Sequence, residues 1–291
     1  MIISEETFYI FGLITSGISI FSCLWLFLLF RKLKKKSIPM KLILWISIFD
    51  FFEAIVGILS QFMPATHLSC IFIEFFIILC LWTSLFYSTA LSVLSYYSLH
   101  ISKPFDQQKY YRKAHMLIFP VCFIASLMPV FSFSPVSYQS VNGYFCSVVA
   151  DPSLSDTLRI VSLVIYQILP VLPALVITFI YYILIVKYIN EKIPKQIRQR
   201  KHIKKKNFVI FALVQLLVYL PHTISVVYGI IFEYDFGQTI GLILFCLQRL
   251  GGFANSLVYV ILRTAKHKQR LGTSFKVSLI NKDEDNGKLT A

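Results

Sequence analysis

The hydrophobic and polar positions divide the chain into seven long apolar runs separated by short polar segments. Each run has the roughly 20 residues that a helix needs to cross a bilayer. Backbone groups in lipid must be satisfied within their own segment, which favours helices. The runs are 9–30, 42–63, 70–99, 115–133, 158–186, 208–232 and 238–262. We therefore predict an all-α membrane protein with a seven-helix transmembrane domain over residues 9–262.

The third run carries a stripe of small polar residues. Ser84, Ser88, Ser92 and Ser95 are spaced i, i+4, i+8 and i+11, so they share one face of a helix. Small polar side chains let neighbouring helices approach closely and hydrogen-bond within lipid. We interpret the stripe as a packing surface and place this helix inside the bundle.

Composition agrees with a membrane protein. Of the 291 residues, 57% are hydrophobic and 14% are charged, with a mean hydropathy of +0.71. A soluble domain would carry about a quarter charged residues. We expect a multi-pass protein of the plasma membrane.

The net charge of +14 would favour a nucleic-acid partner in a soluble protein, but its placement indicates topology instead. Only Arg159 and Arg249 lie outside four basic segments. The remaining basic residues number six, four, nine and seven in 31–41, 100–114, 187–206 and 263–291. These segments fall on one side of the membrane, which the positive-inside rule makes the cytoplasm. We predict an extracellular N-terminus, a cytoplasmic C-terminus and no nucleic-acid partner.

The two ends are short. Residues 1–8 show no removable signal peptide and are assigned to the extracellular side. Residues 263–275 have the pattern of a basic amphipathic helix lying on the membrane. The polar segment 276–291 is expected to be a disordered cytoplasmic tail.

Two cysteines lie near the outer ends of predicted spans. Cys70 begins the third run and Cys146 follows the fourth. Both face an oxidising compartment, so we predict a disulfide between them, with two free thiols as the alternative. No cysteine or histidine spacing indicates a metal site.

Four ionisable residues lie inside apolar runs, where charge is costly and marks functional candidates. They are Asp50, Glu53, Glu74 and Arg249. At roughly 1.5 Å per residue, Glu53 and Arg249 reach similar depths. We predict that they pair, with Glu74 sharing the contact. A pair that only holds two helices together is an equally open interpretation.

Deeper in the seventh run, Asn255 and Tyr259 lie on one helix face at about the depth of Asp50. We predict a buried polar network of Asp50, Glu53, Asn255 and Tyr259, of the kind that suits a bundle with two arrangements. Other polar residues inside runs are more often interhelical hydrogen bonds than sites. They are Gln167, Gln215, His222 and Gln248.

Catalysis has little support in the sequence. A membrane zinc hydrolase needs several converging histidines, and His222 is the only one in the interior of a run, since His115 stands at the first position of run 115–133. An intramembrane aspartyl protease needs two aspartates, and Asp50 is the only one. We expect a non-enzymatic protein without cofactor or metal.

Seven spans, an extracellular N-terminus and the polar residues of spans two and seven resemble the G-protein-coupled receptors. Asp50 in SIFDFFEA matches the position of their sodium-site aspartate, and NSLVY (255–259) is similar to Asn-Pro-x-x-Tyr with Ser256 for proline. Tyr219-Leu220-Pro221 resembles their span-six bend without its Trp, and Pro173 and Tyr181 have the family's span-five spacing.

The chain also departs from the rhodopsin-like pattern. Tyr96-Tyr97-Ser98 stands where Asp-Arg-Tyr is expected, and span four lacks the usual Trp. The patterns CIFIEFF…LWTS and LQRLGGFANSLVY look closer to the slime-mould cyclic-AMP-receptor branch.

The resemblance implies a receptor for an extracellular small-molecule ligand that signals through a heterotrimeric G protein. Span seven has no lysine, which excludes a retinal Schiff base. Helix bends are implied at Pro173 and Pro221. The implied ligand-pocket residues are Glu74, Trp82, Gln167, Gln248 and Arg249. The implied G-protein-facing residues are Tyr96, Tyr97, Lys201, Lys204 and Lys205. A seven-span small-solute transporter is the alternative function.

Overall fold

The computed structural model describes most of the first five predicted spans and parts of the last two. The described residues are 5–32, 37–63, 66–99, 105–131, 134–141, 145–151, 153–192, 214, 218–220, 223–224, 243 and 246–260. The predicted amphipathic helix 263–275, the tail 276–291 and Pro221 lie outside them.

Six α-helices and one β-hairpin are assigned in this part of the chain. The helices are α1 (Glu5–Arg31), α2 (Ile38–Phe62), α3 (His67–Leu99), α4 (Gln107–Leu127), α5 (Asp156–Leu163) and α6 (Leu169–Lys192). Residues 246–249 and 251–260, in the predicted seventh span, are also helical. Five helical segments among the described residues are long and apolar enough to cross a membrane, since α5 and α6 form one of them. The protein is a multi-pass integral membrane protein.

Helix α4 begins at Gln107, eight residues before the apolar run predicted from His115. Asp106 caps it by accepting hydrogen bonds from the backbone N–H groups of Gln108 and Lys109, both at 3.0 Å. The first turns are polar, so hydropathy marks only the part of the helix expected in lipid. Pro129 lies in a 3₁₀ turn (Met128–Val130) that follows the end of α4, and the membrane-spanning segment Gln107–Val130 includes it.

The fifth span is a continuous helical segment with an irregular turn. A π-helical turn, Val164–Ile168, joins α5 to α6. Pro170 and Pro173 follow it and cannot donate the backbone bonds that a regular helix requires. A wider turn just before two prolines accommodates the lost donors, and such turns are frequent at functional sites.

Helix α3 lies at the centre of the described bundle. It packs against α2, α4, α6 and both strands of the hairpin. All four serines of its stripe are buried. The serine stripe is therefore a packing surface, as the sequence predicts.

The hairpin covers one end of α3. Strands β1 (Val136–Val141) and β2 (Phe145–Ala150) pair antiparallel, with Ser140 opposite Cys146. Cys146 forms the predicted disulfide with Cys70 at the start of α3. After β2, Asp151 accepts hydrogen bonds from the backbone N–H and hydroxyl of Ser153, which lower the pKa of its carboxyl group. The disulfide ties the hairpin to the helix around which the bundle is built.

Candidate functional site

A buried aspartate with a hydrogen bond to each carboxylate oxygen lies where four helical segments meet. The Asp50 carboxylate accepts one bond from Ser84 Oγ at 2.6 Å and one from Asn255 Nδ2 at 2.7 Å. The Tyr219 hydroxyl lies 3.4 Å from Ser84 Oγ and donates to it. Both carboxylate oxygens have a donor, which a buried charge requires. The cluster joins α2, α3 and the predicted spans six and seven.

The structure brings together part of the predicted polar network. Asp50 and Asn255 are in direct contact. Tyr259 is buried and stacks on Phe30 of α1, with ring centroids 4.8 Å apart. Sequence reasoning assigned neither Ser84 nor Tyr219 to this network, because a serine in a packing stripe gives no signal of what it faces.

Arg249 lies next to Glu53, as we predicted from depth. Its Nη1 donates to the backbone carbonyl of Glu53 at 3.2 Å, and its charge interacts with the carboxylates of Glu53 and Glu74. Gln248 is in hydrogen-bonding range of the Glu53 side chain. The hydrogen bond from Arg249 thus goes to the backbone of Glu53. A direct pair between the Arg249 guanidinium and the Glu53 carboxylate stays a prediction.

Helix α1 holds the backbone of the seventh span at this level. Ser19 Oγ donates to the Arg249 carbonyl at 2.5 Å and accepts from the Phe253 N–H at 3.4 Å. In a regular helix the Arg249 carbonyl would accept a hydrogen bond from the Phe253 N–H. The Ser19 hydroxyl contacts both of these backbone groups. Gly252 allows the close approach, because a Cβ there would lie 2.9 Å from Cys23 Sγ. The hydrophobic and polar pattern of α1 did not predict this contact between Ser19 and the backbone of the seventh span.

A second cluster lies nearer the hairpin. Trp82 packs against Tyr166 of the π-helical turn, with ring centroids 5.2 Å apart. The hydroxyls of Tyr138 and Tyr166 are 2.9 Å apart, and both tyrosines interact electrostatically with Glu74. Gln167 Nε2 donates to the Val148 carbonyl at 3.5 Å. Three predicted pocket residues, Glu74, Trp82 and Gln167, therefore lie in one region between α3, the π-helical turn and the hairpin.

No family model matches the sequence, and no curated protein matches it. Among solved structures, the crystal structure of squid rhodopsin superposes with a TM-score of 0.68, covering 94% of this chain and 88% of that chain. The chain has the fold of squid rhodopsin. The two sequences are 14% identical, so the likeness shows the fold alone.

The far end of α3 in this rhodopsin fold carries an aromatic cluster. Tyr96 contacts Tyr97 and Tyr181, each with centroids 5.4 Å apart. Tyr97 also stacks on Phe105 at 5.4 Å. The cluster joins the end of α3 to the middle of α6. Lys201, Lys204 and Lys205, also predicted to face a G protein, lie outside the described residues.

The described part of the chain contains no group of three His, Cys, Asp or Glu side chains that could hold a metal ion. Asp50, Ser84 and Asn255 are hydrogen-bonded to one another, and Ser19 and Arg249 are hydrogen-bonded to backbone carbonyls. Such an arrangement is suited to binding and to a change of conformation.

Proposed function

We propose that this chain is a receptor that senses an extracellular small molecule and signals through a heterotrimeric G protein. Its N-terminus would be extracellular, its C-terminus cytoplasmic and its membrane the plasma membrane. Within the superfamily we place it nearest the cyclic-AMP-receptor-like branch, on the Trp82 and Leu247-Gln248 patterns.

The observation that carries the proposal is the shared Asp50 cluster in a rhodopsin fold. Ser84, Asn255 and Tyr219 reach it from three different helical segments. Movement of α3 or of the seventh span changes a hydrogen bond of the buried carboxylate, and movement of the sixth span changes the bond between Tyr219 and Ser84. A ligand that favours one arrangement of these segments would shift the bundle between two states.

The proposed cytoplasmic surface includes the aromatic cluster of Tyr96, Tyr97, Phe105 and Tyr181. Tyr97 is 44% exposed and so has surface available for a partner. In this proposal Tyr97 takes the place that an arginine has in rhodopsin-like receptors, and the basic segments beside it supply the positive charge.

G-protein activation in cells that express the chain tests the proposal. Wild type is compared with Asp50→Asn and Arg249→Ala against a panel of small molecules that includes cyclic nucleotides. We expect ligand-dependent activation in wild type and its loss in both variants. Solute flux that appears only in cells expressing the chain would contradict the proposal and favour a transporter.

A matched pair of serine variants separates the Asp50 cluster from general packing. Ser84→Ala removes a donor to Asp50, whereas Ser95→Ala removes a hydroxyl that, within the described part of the chain, donates to the Leu91 carbonyl of its own helix. We expect Ser84→Ala to change basal or ligand-induced activation and Ser95→Ala to leave both close to wild type. Equal effects of the two variants would remove Asp50 from the proposed switch.

A further inference from the structure

We propose that a membrane lipid with a phosphomonoester headgroup binds on the α2–α4 surface, which we define by Lys41, Tyr111, Arg112 and His115. Phosphatidic acid and the phosphoinositides are lipids of this class. Lys41 and Arg112 hold the phosphate, and an acyl chain lies along α4. The site is placed in the cytoplasmic leaflet on the orientation predicted from the basic residues.

The first turns of α4 carry cations immediately before an apolar surface. Lys109, Arg112 and Lys113 are exposed, and their spacing of i, i+3 and i+4 places them on one side of the helix. A row of exposed apolar side chains follows Arg112 at i+4, i+7 and i+11, namely Met116, Phe119 and Phe123. The change from positive to apolar along one face matches the order of headgroup and acyl chain in a lipid.

Helix α2 supplies a fourth cation to this surface. The Nζ atom of Lys41 lies 5.6 Å from the centroid of the Tyr111 ring, in the range of a cation–π contact. Trp45, one turn further along α2, donates its Nε1–H to the Tyr111 hydroxyl at 3.0 Å. Tyr111 therefore joins the two helices and places Lys41 beside the first turns of α4. The rings of Trp45 and His115, with centroids 4.7 Å apart, pack below this contact.

The positive charge of this surface is not balanced by the protein within the described part of the chain. Neither of the two salt bridges there includes Lys41, Lys109, Arg112 or Lys113. The nearest carboxylate in sequence, that of Asp106, accepts hydrogen bonds from two backbone N–H groups and caps α4. An anion bound between the two helices would supply the missing negative charge.

The available donors select the class of headgroup. Ammonium and guanidinium groups form charge-assisted hydrogen bonds with phosphate, and arginine can donate two in parallel. The Tyr111 hydroxyl accepts from Trp45, so its own proton is directed elsewhere and can be donated to a phosphate oxygen. A phosphomonoester carries a charge of about −1.5 to −2 at neutral pH. Phosphatidylserine brings an ammonium that these cations repel, and phosphatidylcholine has no net charge.

Thermal unfolding of the purified full chain in detergent tests the inference with short-chain lipids. Dioctanoyl phosphatidic acid and phosphatidylinositol bisphosphate are compared with dioctanoyl phosphatidylserine and phosphatidylcholine. Inositol trisphosphate supplies the phosphomonoesters without acyl chains. We expect the first two lipids to raise the Tm in a concentration-dependent manner, because a ligand that binds only the folded state stabilises it.

Three results of this experiment would overturn the inference. Equal stabilisation by phosphatidylserine would show general attraction of anionic lipid instead of a headgroup site. Equal stabilisation by inositol trisphosphate would show that a soluble phosphate, and not a lipid, is the occupant. Stabilisation by none of the probes would remove the site altogether.

A matched pair of double variants locates the binding site. Lys41→Gln with Arg112→Gln keeps long polar side chains and removes both proposed phosphate contacts. We expect the apparent affinity for phosphatidic acid to fall by about tenfold or more, since each basic residue near an anionic headgroup contributes a several-fold effect. Lys32→Gln with Lys187→Gln removes the same charge near the ends of α1 and α6 and should leave the affinity close to wild type. Equal losses in the two double variants would overturn the assignment to the α2–α4 surface.

The lipid test uses neither a receptor ligand nor a G protein, so its result is separate from that of the proposed function. Lipid binding by a chain that activates no G protein would support this site and count against the signalling proposal. Receptor activation by a chain whose Tm does not respond to these lipids would support the receptor and overturn the lipid site.

Discussion

At the level of single residues, glycines decide how closely the seventh span approaches its neighbours. A Cβ at Gly252 would lie 2.9 Å from Cys23 Sγ and 3.2 Å from Asp50 Cβ. A Cβ at Gly57 would overlap the Arg249 guanidinium, with Arg249 Cζ at 2.8 Å. The Asp50 and Arg249 clusters therefore depend on positions without side chains.

Gly252→Ala is expected to lower the free energy of unfolding by roughly 1 to 3 kcal/mol, the usual cost of overpacking. Gly17→Ala is the matched control, because a Cβ there meets nothing within 4 Å. A helical Gly→Ala change without a clash should be neutral or stabilising by up to about 1 kcal/mol. Thermal unfolding of both variants in one detergent checks the difference, and equal Tm values would contradict it.

Individual candidate residues were predictable from sequence to different degrees. Asp50 and Arg249 stood out because charge in an apolar run is rare and costly. Ser19 did not stand out, since a hydroxyl in a span is common, and Tyr138 did not because it lies between predicted spans. Their contacts with the Arg249 and Ser126 carbonyls depend on residues 230 and 12 positions away.

At the level of elements, the hairpin and α3 form a joined unit. The disulfide connects Cys70 to Cys146 across 76 residues, and Tyr138 donates from β1 to the Ser126 carbonyl at the end of α4. The first link is covalent and the second is buried. The hairpin is therefore held at both its strands.

Replacing both disulfide cysteines by serine is expected to lower the free energy of unfolding by about 2 to 4 kcal/mol, because the cross-link restricts the unfolded chain. Cys246→Ser, which changes a half-buried free thiol, is the control. Unfolding of the double variant, and of wild type with and without reductant, measures the effect. A double variant as stable as the control would show that hydrogen bonds alone hold the hairpin.

Element boundaries show where periodicity and hydropathy reach their limit. Hydropathy located α4 but not its polar first turns, which begin after the Asp106 cap. It also could not place Pro129 outside the helix, because proline is apolar and is tolerated within membrane spans. The π-helical turn gave no hydropathy signal, since it lies within the apolar run 158–186 and Gln167 is its only strongly polar residue.

At the level of the whole molecule, the distribution of basic residues predicts orientation. All but Arg159 and Arg249 of the 28 lysines and arginines fall in four segments assigned to one side. Each lysine or arginine near a membrane surface favours the cytoplasmic leaflet. Orientation is thus set by many small contributions of one sign.

Epitope tags placed before residue 1 and after residue 291 test this orientation in intact cells. We expect antibody to reach the N-terminal tag without permeabilisation and the C-terminal tag only after it. A chain with its basic residues in 187–206 changed to glutamine serves as a second variant and should show weaker orientation. Exposure of the C-terminal tag on intact wild-type cells would contradict the prediction.

The sequence by itself determined the membrane-spanning helical character, the central place of α3 and the cysteine pair. These follow from local properties, because hydropathy, helical spacing and loop position are read along the chain. The tertiary structure decided which hydroxyl meets Asp50, which serine bridges the Arg249 backbone and which way the tyrosine protons point. Those contacts join residues far apart in sequence, and they depend on the packing of whole helices, which no local pattern records.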